Sequence, residues 1–80
     1  MTDEEKKSYE TWLKQFGKCL SQYRQKHGLT QKEAAKRCSL NKRFYTDIEY
    51  GQRPITTRTM FIICSRLHMP TPYEEVIKML

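Results

Sequence analysis

Residues 29–53, LTQKEAAKRCSLNKRFYTDIEYGQR, carry the spacing of two short helices joined by a tight turn. Ala34, Ala35, Cys38, Leu40, Tyr45 and Ile48 are the small or apolar positions. Their offsets let two helices of roughly eight residues cross at a steep angle, as in a helix-turn-helix. The polar residues between them then face outward. On the second helix these are Asn41, Lys42, Arg43, Thr46 and Asp47, residue types that bond phosphates and base edges. The expectation is a DNA-binding protein.

The flanking segments read as further helices. Thr30 caps a helix from 31 to about 38, with Glu33 at the capping-box position. Ser39 and Leu40 make the turn, and Asn41 caps a helix that runs to about 50, where Gly51 stops it. Upstream, Thr2 and Glu5 have capping-box spacing, and Tyr9, Trp12, Leu13, Phe16, Leu20 and Tyr23 mark one apolar face down to about His27. Gly28 closes that helix. Gly17 lies inside it at a cost of ~1 kcal/mol relative to alanine, so this segment is one helix or two. Downstream, QRPIT leads to a helix over about 57–67 with Met60, Ile63, Cys64 and Leu67 on its core side. Pro70 ends it, and Thr71, Pro72 and Glu74 suit the start of a short final helix. The predicted fold is all-α, a compact five- or six-helix bundle forming one domain over 1–80. Within it, 1–15 is an N-terminal helical extension, 31–50 the helix-turn-helix, and 71–80 a C-terminal helix.

The net charge of +6 is concentrated in the motif. Residues 16–53 hold nine Lys or Arg against Glu33, Asp47 and Glu49, whereas 1–15 carry a slight acidic excess. That placement favours a polyanionic partner over a merely solvated basic face. Cys19, Cys38 and Cys64 form no Cys-x-x-Cys pair, which argues against a disulfide framework and for a reducing compartment. The opening MTDEEKKSY lacks the apolar core of a secretion signal. No apolar run approaches the ~20 residues a membrane span requires. A cytoplasmic, nucleoid-associated protein is expected, with no membrane role. No metal or cofactor is expected, since no Cys/His cluster has ligand spacing and no glycine-rich phosphate loop is present; His27 and His68 read as surface residues at helix ends. No nucleophilic constellation stands out, so an enzyme is not expected.

The segment from 16 to 69 resembles the phage-repressor and Cro type of helix-turn-helix domain, a lambda-repressor-like family that includes small restriction-modification controller proteins. FGKCLSQYRQKHGLTQ is similar to the family's first helix and its turn into the second, Ala35 takes the small residue where the motif helices meet, and IEYGQR is similar to the end of the recognition helix. The resemblance implies base reading in the major groove by Asn41, Lys42, Arg43 and Asp47. Arg43 would grip guanine O6 and N7, and Asp47 would accept from cytosine N4. It further implies backbone contacts from Gln31, Phe44 and Arg53, with a thymine methyl as the alternative contact for Phe44, and an ion pair between Arg24 and Glu49 that holds the recognition helix; Thr46, on the outward side, is a further backbone candidate. Three residues depart from the pattern. Ser39 stands where glycine is usual, so it takes a left-handed conformation at some cost or the turn adjusts. Tyr45 replaces a smaller aliphatic residue, and its hydroxyl needs a partner or an outlet. Arg66 replaces a small residue in the fourth helix.

Phe61 and Ile62 point partly away from the expected core side and, with Ile77 and Leu80, are candidates for a homodimer interface. The N-terminal helix with Trp12 is a second candidate. The function expected is a sequence-specific transcriptional regulator that binds a near-palindromic operator in double-stranded DNA as a homodimer. Two alternatives are an antitoxin-like autoregulator with a second protein partner, and a protein-interaction module that has lost DNA binding.

Overall fold

Each helix starts on a side chain that accepts a hydrogen bond from the free amide of its first turn. Thr2, Thr30, Asn41 and Thr56 play this part for α1 (Asp3–Lys26), α2 (Gln31–Arg37), α3 (Lys42–Glu49) and α4 (Thr57–Arg66). Glu5 and Glu33 return the bond to Thr2 and Thr30, closing two capping boxes. A cap of this kind is worth ~1 kcal/mol. The computed structural model describes residues 1–69, and those residues contain the four helices and no strand.

All four helices also end alike. The residue after each C-cap is left-handed: Gly28 (φ 69°), Ser39 (55°), Gly51 (67°) and His68 (57°). The next amide then reaches back to a carbonyl of the last turn, as Leu40 does to Ala35 at 2.9 Å and Gln52 to Asp47 at 2.9 Å. These are Schellman closures, which satisfy carbonyls the helix leaves free. Each turns the chain within two residues, so the helices fold back onto one another.

Phe16 and Leu20 of α1 meet Ala34 and Ala35 of α2, Tyr45 and Ile48 of α3, and Met60, Ile63 and Cys64 of α4 in one buried core, which Cys38, Leu67 and Met69 extend; Leu13 is buried as well. Trp12 stacks on Phe16 with ring centroids 5.6 Å apart, and with Tyr23 it is only partly buried at the core edge.

The helix count differs from the expected five or six. The described residues hold four, because α1 continues through Gly17 without a break. The helix expected over 71–80 lies outside the described residues, as do Ile77 and Leu80. Gly17 serves packing: a Cβ there would clash with the backbone carbonyl oxygens of Ile48 and Glu49. The first helix can cross the end of the third only where it has no side chain. Among the described residues no helix is long and apolar enough to cross a membrane.

Candidate nucleic-acid interface

The outward surface of α3 depends on what fixes its inner side. Tyr45 and Ile48 point into the core, and Glu49 is buried at 7 % exposure. An isolated buried carboxylate would be costly, and Glu49 is instead surrounded by donors from two other helices. Arg24 of α1 donates through Nε to Oε2 at 2.7 Å and through Nη2 to Oε1 at 3.3 Å. Gln31 of α2 donates through Nε2 to Oε1 at 3.2 Å. Arg24 Nη1 also donates to the Leu29 carbonyl at 2.8 Å, tying in the loop before α2. Burial alone would push the Glu49 carboxyl up, but the bonds from Arg24 and Gln31 hold it below the usual carboxylate range. Three helices are thereby locked at one charged centre.

Tyr45 lies beside that centre. Its hydroxyl is buried and makes no hydrogen bond of good geometry, and burial together with the Glu49 carboxylate pushes the phenol far above its ordinary range. It remains a neutral, space-filling group.

The turn between α2 and α3 adopts the first of the two conformations open to Ser39, the left-handed one. Arg66 compensates. From the end of α4 its Nη1 donates to the Arg37 carbonyl at 2.9 Å and lies 3.4 Å from Ser39 Oγ. A cation thus meets the negative end of α2 and braces the turn that aims the recognition helix. The sequence marked Arg66 only as a departure, because a contact across 29 positions leaves no local pattern.

On the outer side, Asn41, Lys42 and Arg43 are exposed along the first turn of α3, Arg43 by 86 % of its side chain. Asn41 Oδ1 accepts from the Phe44 amide at 2.8 Å, so the carbonyl end of this exposed side chain caps the helix and its amino end is not used in the cap. Phe44 is partly buried, and the Arg53 guanidinium lies over its ring at 4.6 Å. Asp47 is 19 % exposed and faces both Arg53 and Arg43. Thr46 differs from its expected outward role. Its hydroxyl oxygen is buried without a hydrogen bond, because position 46 turns toward the molecule where the helix settles on the core. Gln31, expected at a DNA phosphate, is half-buried and donates to Glu49 through Nε2.

The structure therefore brings Arg43, Phe44, Asp47 and Arg53 into one cluster, with Lys42 and Asn41 beside it on the first turn and Gln31 across the Glu49 centre. Phe61 is 64 % exposed on the outer side of α4, with Ile62 half-buried next to it. Tyr50 at the end of α3, 58 % exposed, is a surface aromatic that helical spacing alone did not single out. Among the described residues no three His, Cys, Asp or Glu side chains gather as a metal site would require.

The geometry is that of a capped, braced helix presenting cations at its N-terminal turn. No curated protein matches the chain. A family model described as helix-turn-helix matches residues 20–73, well over half of the chain and all of α2, α3 and α4. The chain belongs to this helix-turn-helix family, the phage-repressor and Cro type of DNA-binding transcription regulators.

Proposed function

We propose that the protein is a sequence-specific transcriptional regulator that inserts α3 into the major groove and binds a near-palindromic operator as a homodimer. The observation that carries this reading is the exposure of Lys42 and Arg43 on a helix whose opposite side is immobilised by Tyr45, Ile48 and the Arg24–Glu49 pair. A reading helix must hold its side chains in register with base edges, and rigidity at the back supplies that register. Arg43, Lys42 and Asn41 take the base-reading positions. Arg53 and Gln31 take the phosphate chain on either side, with Phe44 as the platform under Arg53. Residues 1–80 act as one domain, with 1–15 prolonging the first helix.

Arg43→Ala tests the assignment. It is expected to relax discrimination at one base position by about 1–3 kcal/mol, read from affinities for a panel of single-substitution duplexes. Equal weakening on every duplex would assign Arg43 to the phosphate chain instead.

The exposed Phe61 beside Ile62 favours a protein contact through α4. Our reading assigns that face to a second copy of this chain. The antitoxin-like alternative assigns it to a different small protein, and copurification of such a partner in fixed stoichiometry would select it.

A further inference from the structure

One carboxylate at the rim of α3 is divided between two arginines. Asp47 Oδ2 accepts from Arg53 Nη2 at 3.3 Å, and Oδ1 faces Arg43 Nε at 3.7 Å. Two further contacts keep Arg53 close to Asp47. Its guanidinium rests on Phe44 at 4.6 Å, and the closure from the Gln52 amide to the Asp47 carbonyl fixes the chain just before it. The two cations are the more exposed members, at 86 % for Arg43 and 42 % for Arg53, while Asp47 lies behind them at 19 %.

We propose that Asp47 is a specificity-determining residue that acts as a charge gate: it restrains the binding of arbitrary polyanions by Arg43 and Arg53. The proposal deepens the DNA-reading function and rests on it for its biological sense. Non-specific affinity for duplex DNA comes from cations delivered to phosphates and the counterions they release. A carboxylate within reach of both guanidiniums cancels about one of their two charges, and an incoming phosphate must compete with it. The partly exposed pairs are weak enough to open. At a cognate site, bonds to base edges add energy that does not depend on this charge balance. The restraint therefore falls mainly on non-cognate DNA and widens the gap between the two. Phe44 adds to the effect by keeping Arg53 beside Asp47 rather than free in solvent.

The test uses the full chain and three probes: a heparin column, which offers anionic groups and no bases, a random-sequence duplex, and the best duplex enriched from a random pool. Asp47→Asn keeps the shape and removes the charge. It is expected to elute from heparin at higher salt and to bind random duplex roughly threefold to tenfold more tightly at 0.1 M salt, with a salt slope steeper by about one. Its gain on the enriched duplex should be smaller, so the ratio between the two falls. In an Arg53→Gln background the effect of Asp47→Asn should shrink. Unchanged heparin elution and random-duplex affinity would overturn the proposal. So would a loss of preference at a single base pair with random binding unaltered, which would make Asp47 a reader of cytosine. Circular dichroism checks folding, and Asp47→Ser provides the same readouts should the asparagine variant not fold. If the natural chain selects no duplex, the DNA-reading function fails separately, and the heparin measurement still decides whether Asp47 restrains the arginines.

Discussion

Glu49 shows how a single side chain governs the pose of the reading helix. It is buried, yet Arg24 and Gln31 keep it ionised and bind it from two neighbouring helices. Its pKa in the fold lies below the ~4.3 of an unfolded chain. The stability this difference provides is present above that value and is lost as pH falls through the folded pKa. Glu49→Gln should lower stability at pH 7 by about 3 kcal/mol, since it leaves Arg24 without its counter-charge. It should also make the acid side of the stability curve shallower. The exposed carboxylates Glu5 and Glu33, which capping-box bonds hold below their ordinary range, shift the curve in the same direction and stay in the variant. Urea unfolding from pH 2 to 7 reads both effects, and parallel curves for the two proteins would contradict this role for Glu49.

At the scale of the element, the α2–α3 turn combines a local strain with a distant brace. A left-handed non-glycine residue costs ~1 kcal/mol, and Ser39 accepts that cost at 55°. Ser39→Gly should relieve the strain and stabilise the protein by roughly 0.5–1 kcal/mol, a rise of several degrees in Tm, with DNA affinity unchanged because Arg66 still holds the Arg37 carbonyl. A lower Tm would mean that the contact between Arg66 and Ser39 Oγ outweighs the strain. Helix starts and stops are legible in the sequence, since Thr2, Thr30, Asn41, Gly28 and Gly51 act on neighbours three or four positions away. Gly17 is not legible in the same way. Its lack of a side chain matters to the carbonyls of Ile48 and Glu49, more than thirty positions on, and read locally it suggests only a weakened helix. The inward turn of the Thr46 hydroxyl and the contact of Asp47 with Arg53 are not legible for a related reason: helical period places both residues at the edge of the outer face, and only packing determines which neighbours they meet.

For the whole molecule, the basic excess over 16–53 includes α2 and α3, both within the family match, while the acidic start of α1 precedes the matched residues. The cations thus lie in the segment that carries α2 and α3, and their long-range attraction favours encounters with a polyanion such as DNA. Under the proposed function one copy offers one reading helix and a short site; pairing two copies through the Phe61 side of α4 would double the site and impose two-fold symmetry on it. The fold class follows from apolar spacing alone, but pairing between chains depends on surface complementarity, to which Phe61 and Ile62 contribute only an exposed apolar patch. Selection of bound duplexes from a random pool separates a reader of sequence from a general polyanion binder. Enriched sequences should carry two related half-sites about one helical turn apart, and they should be lost when Lys42 and Arg43 are both replaced by alanine. Failure of the natural protein to enrich any sequence, even at low salt, would contradict the proposed function.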